Sequence, residues 1–249
     1  MSLKISVITV CLNSEKCIEK AILSVLAQDY QDIEYIVVDG QSTDGTLSIL
    51  NQYKNRISKI ISEKDGGIYD AMNKGVKAAQ GDIIFFLNSD DAFYDNKILS
   101  VVAQKFSEDK NVDLIVGKLH LVNVSPKPGL NFKTPFVCKG FTKKDLLKYG
   151  MCQQRIFTRR GVFDRIGVFD QCYLICADFK WFLQCASWGV SWKNIDTIVA
   201  HYNHQGLSGR SVKLVVKEKL GIIFRNVSFF DFLYYFYYAI LKKMITIKA

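Results

Sequence analysis

Short apolar runs alternate with helically spaced segments through the N-terminal part of the chain, and this rhythm constrains the fold more than any other feature of the sequence. Ile5–Val10 is a β-rich run, Cys17–Ala27 sets Ile18, Ala21, Ile22, Val25 and Leu26 on one helical face, and Tyr35–Val38 is strand-like again. Thr46–Tyr53 reads as a helix, Lys59–Ser62 as a strand, Ile68–Ala79 as a helix and Ile83–Leu87 as a strand. Strands separated by helices pair mostly in parallel and are covered on both faces. Open sheets of this kind gather ligands beyond the carboxyl ends of their strands, where Asn13, Asp39 and Asn88–Asp91 fall.

The alternation fades after Asp113–Val124. Ser125–Gly140 holds all three prolines and reads as a loop, Lys143–Tyr149 and Ala177–Ser187 as helices, and Trp192–Ile195 and Ile198–Tyr202 as strands. From Ser211 onward the chain is helical and increasingly aromatic. Phe229–Leu241, followed by Lys242 and Lys243, is too short to span a bilayer, which takes about 20 residues. It suits either a helix lying at a lipid interface or one packed on its own domain.

Charge divides the chain. Residues 1–116 carry 12 Lys and Arg against 17 Asp and Glu, and residues 117–249 carry 21 against 7. An acidic half suits a cation site, and a basic half suits diphosphates, phospholipid or nucleic acid. Seven scattered cysteines without paired spacing argue against a disulfide framework and a structural zinc site. No secretory signal pattern follows Met1, so a cytoplasmic protein is expected.

Three segments carry chemistry. Asn88-Ser89-Asp90-Asp91 follows a strand, and in extended backbone Asn88 and Asp90 would face one side together. Mg²⁺ takes one or two such carboxylates and fills its remaining sites with water and phosphate oxygens, although Asn, Ser and Asp also favour plain turns. In Asp39-Gly40-Gln41-Ser42-Thr43-Asp44, helix capping accounts for Ser42 to Asp44 but not for Asp39. Asp65-Gly66-Gly67 before Ile68 lets backbone approach a ligand near a helix start.

In order, strand–Asn13, VVDGQSTDGT, DGGIYDAMNKG, GDIIFFLNSDD and ADFKWFL resemble the family-two nucleotide-sugar glycosyltransferases of the GT-A fold, over residues 4 to about 210. The resemblance implies an α/β fold, a GT-A-like (Rossmann-like) mostly parallel sheet flanked by helices. It divides the chain into a glycosyltransferase domain at 1–210 and a basic, aromatic-rich C-terminal helical tail at 211–249. It further implies an inverting transfer from a UDP-sugar or similar donor to a polysaccharide or lipid-linked saccharide, without nucleic acid.

Residue by residue, the resemblance makes Asp90 and Asp91 ligands of Mg²⁺ or Mn²⁺. It places Thr9, Leu12, Asn13, Asp39, Asp65 and Asn88 around the nucleotide, and makes Asp178 the general base. Gln154, His201, His204 and Arg210 fall where diphosphate or acceptor contacts are expected. Five positions depart from the family pattern: Asn88 for Asp, Leu12 for Tyr, Met72 for Arg, Gln153 for His, and Ala177 for an acidic residue. The rival readings are a sugar nucleotidyltransferase and a non-catalytic basic module for membrane or nucleic acid. The first needs a glycine-rich loop after the first strand, and Cys11–Lys20 has no glycine. A peripheral contact with the inner face of the plasma membrane is expected to run through the tail.

Overall fold

The computed structural model describes residues 2–122, 141–203 and 211–228, together with Phe230, Asp231, Leu233, Tyr234, Phe236 and Tyr237. Among these residues the backbone forms β1 (Ile5–Cys11), α1 (Ile18–Leu26), β2 (Ile33–Asp39), α2 (Thr46–Gln52), β3 (Lys59–Ser62), α3 (Ile68–Ala78) and β4 (Ile83–Phe86). There follow β5 (Ala92–Phe93), α4 (Ile98–Glu108), β6 (Leu114–Val122), α5 (Lys143–Tyr149), a 3₁₀ turn (Gln153–Arg155), β7 (Ile156–Arg159), α6 (Arg160–Ile166), α7 (Ala177–Ser187), β8 (Trp192–Asn203) and α8 (Val212–Asn226).

The strands lie in one sheet in the order β3-β2-β1-β4-β7-β6-β8-β5. β1 is buried along its whole length and pairs in parallel with β2 and β4, which explains why it reads as an unbroken apolar run. β7 is antiparallel to both β4 and β6, and β5 is antiparallel to β8, so two short strands interrupt an otherwise parallel sheet.

Alternate side chains of the strands enter two separate cores. Ile8, Val10, Ile36, Val38, Ile84 and Phe86 pack with α3, α5, α6, α7 and α8, while Val7, Tyr35, Val37, Phe85 and Leu87 pack with α1, α2 and α4. The expected mostly parallel, helix-flanked α/β fold is therefore found. α8 belongs to the first core through Ile222 and Ile223, both fully buried.

Three differences from the sequence reading have physical causes. Trp192–Ile195 and Ile198–Tyr202 are parts of one strand, β8, whose register with β6 slips beside Gly117. There a Cβ would stand 2.4 Å from Val199 Cγ1, so the bulge needs glycine. The sequence reading places no helix at Ile98–Glu108, where α4 buries a regular stripe of Ile98, Leu99, Val102, Ala103 and Phe106 that its polar neighbours interrupt in sequence but not in space. Asn88–Asp91 is a turn and not extended backbone, closed by Asp91 N–H donating to Asn88 O at 3.1 Å, so strand alternation does not set its side chains. Ser125–Gly140, His204, Arg210 and most of Phe229–Leu241 lie outside the described residues.

Candidate active site

The loops that follow β1 and β2 are stitched together before they meet any ligand. Asp39, at the end of β2, is fully buried. Its Oδ2 accepts from Gln41 N–H (3.1 Å), Ser42 N–H (3.1 Å) and Ser62 O–H (2.7 Å), and its Oδ1 accepts from Ser42 O–H at 2.5 Å. Ser42 Oγ in turn accepts from Asn13 N–H (2.8 Å), and Asn13 Oδ1 accepts from Thr43 N–H (2.9 Å). Asn13 (φ 51°) and Gln41 (φ 66°) both occupy the left-handed region, a cost that this network holds in place. Across the next turn, Asp65 Oδ1 accepts from Gly67 N–H at 2.9 Å. A Cβ on Gly40 would stand 2.4 Å from Asp65 Oδ2 and 3.4 Å from Leu12 Cδ1, so glycine is what lets the three loops close up.

These loops form one side of a cleft of about 800 Å³ at the carboxyl ends of β1 and β4, the position that open parallel sheets favour for ligands. Leu12, Asp65, Asn88, Asp90, Gln154 and Asp178 all line it, together with the start of α3 and two residues of α8, Val215 and Lys219. α3 has Gly67 (φ 122°) as its N-cap and no side-chain cap, and Gly67, Ile68 and Tyr69 line the cleft, so the uncapped start of the helix borders it.

At the Asn88–Asp90 end, Asn88 Oδ1 is buried without a hydrogen-bond partner among the described residues, and Asp90 Oδ2 accepts from Asn203 Nδ2 at 3.2 Å. An unpartnered buried amide oxygen beside a carboxylate fits a divalent ion that keeps water and phosphate as its other ligands, or a ribose hydroxyl. No group of three or more His, Cys, Asp or Glu among the described residues forms a closed metal site. Asp91 is 2% exposed and does not line the cleft. Its Oδ1 accepts from Asn203 N–H at 2.8 Å, which ties the turn to the end of β8. Burial, and then the charge of Asp90, push its carboxyl well above the usual range.

At the other end, Asp178 lies in the first turn of α7, two residues past the N-cap Cys176, so it is not itself the cap. Its Oδ1 accepts from Phe179 N–H (2.7 Å) and from the Tyr69 hydroxyl (3.0 Å), whose single proton also reaches Ile175 O at 2.6 Å. Burial raises the carboxyl above its ordinary value, and these hydrogen bonds and the Lys219 ammonium partly offset it. A carboxylate raised in this way is a stronger base than an exposed one. Four thiols, Cys11, Cys17, Cys152 and Cys176, also line the cleft. Burial raises each of them, Cys176 to about 12, which leaves them protonated and poor nucleophiles.

Not every residue singled out from the sequence meets the cleft. Thr9 is fully buried, its Oγ1 accepting from the Tyr35 hydroxyl at 3.2 Å, while Asn13 and Asp39 build the wall and do not line the cavity. His201 does not line the cavity either. Its Nδ1 lies 2.9 Å from His120 Nδ1, and its ring packs against Tyr94. Burial and the neighbouring His120 lower its pKa. The sequence reading missed Tyr69 and Lys219 as site residues. Tyr69 stood inside a quoted motif, but nothing local marks a tyrosine that reaches 109 positions along the chain.

The sequence profile of glycosyl transferase family 2 matches residues 6–167. The chain belongs to this family. This glycosyltransferase is 33% identical over 219 residues to the PGL/p-HBAD biosynthesis glycosyltransferase of Mycobacterium bovis (strain BCG / Pasteur 1173P2), covering 86% of this chain and 82% of the relative. It is 34% identical over 137 residues to the poly(ribitol-phosphate) beta-glucosyltransferase of Bacillus spizizenii (strain ATCC 23059 / NRRL B-14472 / W23), covering 53% of this chain and 21% of that one. The structure of S. aureus TarS 1-349 in complex with UDP superposes with a TM-score of 0.67 at 25% identity, over 81% of this chain and 60% of the TarS chain. The glycosyltransferase thus spans less than two thirds of that TarS structure. The fold is shared as well with the mannosyltransferase PcManGT from Pyrobaculum calidifontis in complex with GDP-Man and Mn²⁺, with a TM-score of 0.65 at 17% identity, over 86% of this chain and 60% of that one.

Proposed function

We propose that this family-two glycosyltransferase moves a sugar from a UDP-sugar to a saccharide or lipid-linked saccharide of the cell envelope, with inversion at the anomeric carbon. The observation that carries the reading is the enclosed carboxylate of Asp178, hydrogen-bonded by Tyr69, in one cleft with Asn88 and Asp90. The UDP complex of TarS, and the named activity of the mycobacterial relative, support the choice of donor and of acceptor class.

In this reading the nucleoside lies along Leu12 and Asp65, on the wall that Asp39 and Asn13 hold rigid. The diphosphate lies between Asn88–Asp90 and the start of α3. Asn88 and Asp90 would hold Mg²⁺ or Mn²⁺, which when bound supplies positive charge to the departing diphosphate. Asp178 draws the proton from an acceptor hydroxyl as its oxygen bonds to the anomeric carbon; the bond from that carbon to the diphosphate oxygen breaks on the opposite side, and UDP leaves. Gln154, which also lines the cleft, is the candidate for an acceptor contact.

A thermal-shift screen of UDP-, GDP- and dTDP-sugars with and without Mn²⁺ tests the donor, since binding to the native state alone raises the melting temperature. Asp178→Asn is expected to keep the donor-induced shift and lose transfer. A variant that retained most of its transfer rate would remove the mechanism.

The same proposal includes a peripheral contact with the inner face of the plasma membrane. No helix among the described residues is long and apolar enough to cross a membrane. Val216, Leu220 and Phe224 recur at helical spacing on the exposed side of α8, and Phe230, Phe236 and Tyr237 are exposed beyond it. Residues 211–249 carry seven Lys and Arg against two Asp and Glu, a composition suited to an anionic lipid surface. Co-sedimentation of the intact chain with phosphatidylglycerol vesicles, set against a chain ending before Phe229, tests it; equal sedimentation would retire the contact.

A further inference from the structure

Among the described residues lining the cleft, three are carboxylates, Asp65, Asp90 and Asp178, and one is a cation, Lys219. Its position is fixed from two directions. Lys219 and Val215, one turn apart on α8, both face the cleft, while Ile222 and Ile223 anchor the same helix in the core. Beside it, Glu218 accepts from the N–H groups of Leu174 (2.8 Å), Ile175 (3.0 Å) and Cys176 (3.0 Å), binding α8 to the segment that leads into Asp178. The carboxylate next to Lys219 is therefore engaged by backbone and not by the ammonium.

The ammonium lies over the Phe179 ring, 5.2 Å from its centroid, and 3.7 Å from where a Cβ at Gly150 would stand. It forms no ion pair with a described residue, whereas Lys74, Lys105, Lys118 and Lys180 each do. Its charge reaches Asp178 without ion-pair contact, and both side chains line the same cleft. A half-buried lysine held in a cleft, seated on an aromatic face and lacking a carboxylate partner, is complementary to an anion.

We propose that Lys219 forms an anion subsite on the acceptor side of the cleft, taking a phosphate group carried by the acceptor beside the hydroxyl that Asp178 deprotonates. The placement on the acceptor side rests on the reading of Asp178 as base; the existence of the subsite does not. In the proposed donor placement the diphosphate lies by Asn88 and Asp90, so the two anions would occupy different parts of the cleft.

The test uses sn-glycerol 3-phosphate as probe, with glycerol as its uncharged control, followed by phosphorus and proton NMR on the full chain saturated with UDP. Glycerol 3-phosphate is expected to bind, glycerol not. Lys219→Gln is expected to weaken binding about tenfold and Lys219→Arg to restore most of it, the loss of one charge-assisted contact. UDP affinity should be unchanged in both variants, and circular dichroism should show both folded. Displacement of the probe by phosphatidylglycerol vesicles assigns the phosphate to a lipid head group; its retention assigns it to a soluble or polymeric phosphate. The subsite is overturned if wild type does not bind the probe, if Lys219→Gln binds it as well as wild type, or if UDP and the probe displace each other. If UDP itself fails to bind, the donor reading fails, while a Lys219-dependent probe signal would still stand.

Discussion

Replacing Asp39 by Asn separates two roles that the resemblance merges, recognition of the base and construction of the wall. The side chains have the same shape, so the change removes charge and converts one acceptor to a donor. The two backbone N–H groups at Oδ2 cannot reverse direction, whereas the Ser42 hydroxyl at Oδ1 can turn to accept. The amide nitrogen will therefore take the Oδ1 position, and the oxygen will keep its bonds from Gln41, Ser42 and Ser62 in neutral form. A hydrogen bond to a charged group is worth ~1.5–3 kcal/mol and a neutral one ~0.5–1.5, so three such conversions cost about 3 kcal/mol. Out of a total stability of ~5–15 kcal/mol, that should appear as a large fall in melting temperature, about 6–12 °C at ~2–4 °C per kcal/mol for a domain of this size. Thermal unfolding by circular dichroism without ligand measures it directly. An unliganded Asp39→Asn variant melting within ~2 °C of wild type, while the donor-induced rise vanished, would refute the argument and leave Asp39 as a ligand contact alone.

The remaining predictions concern the cleft. Because burial raises Asp178, the base is present only above its raised pKa, so transfer should fall as pH drops through that value. Tyr69→Phe removes a donor to the charged form and should move this acid limb to higher pH, with rates converging at alkaline pH; a pH–rate profile scaled down equally at all pH values would contradict it. For stability the sign is opposite. The folded state holds the Asp178 proton where the unfolded chain has lost it, so this group favours folding below the unfolded pKa and loses that contribution as pH rises through the folded one. Mn²⁺ should tighten UDP binding and a chelator should reverse the gain; Asp90→Asn should abolish the metal-dependent part, and calorimetry showing the full increment in that variant would exclude Asp90 as a ligand. Gly40→Ala should push the Asp65 carboxylate off its place 2.4 Å from the new Cβ and against its bond from Gly67, weakening donor affinity; unchanged affinity in a titration would show that Asp65 does not contact the nucleotide.

The fold was legible where each element satisfies its own periodicity. β3, α5 and α7 match their sequence limits, β1 and α3 differ by one residue at one end and α1 by one at each end, because capping and apolar spacing are local properties. β7 was not legible, since Ile156–Arg159 is a strand by virtue of pairing with β4 and β6 and not by pattern. β8 reads as two strands because Asp196 and Thr197 occupy a bulge whose cause, Gly117, lies on another strand. The same distinction governs the site. Asp178 and Asp90 sit in motifs and meet in one cleft, but Tyr69, which steadies Asp178, and Lys219, which faces it, acquire their roles only when α3, α7 and α8 come together.

The motif residues further divide into those that face the cleft and those that make it, and residue type cannot tell them apart. Asp39 and Asp91 are fully or almost fully buried and do not line the cavity, whereas Asp65, Asp90 and Asp178 line it, although Asp65 and Asp178 accept backbone N–H bonds just as the buried pair does. A carboxylate is suited to both tasks for one reason: it accepts several hydrogen bonds at once, whether from backbone, metal-bound water or a substrate hydroxyl. What separates the classes is the state in which the partner is present. A wall residue such as Asp39 has its donors in the free protein, so its loss lowers stability with or without ligand. A cleft residue gains part of its partnership only with substrate, so its loss is felt mainly as lost binding or lost rate. Stability measured without ligand and affinity measured with it should therefore vary independently across these five aspartates.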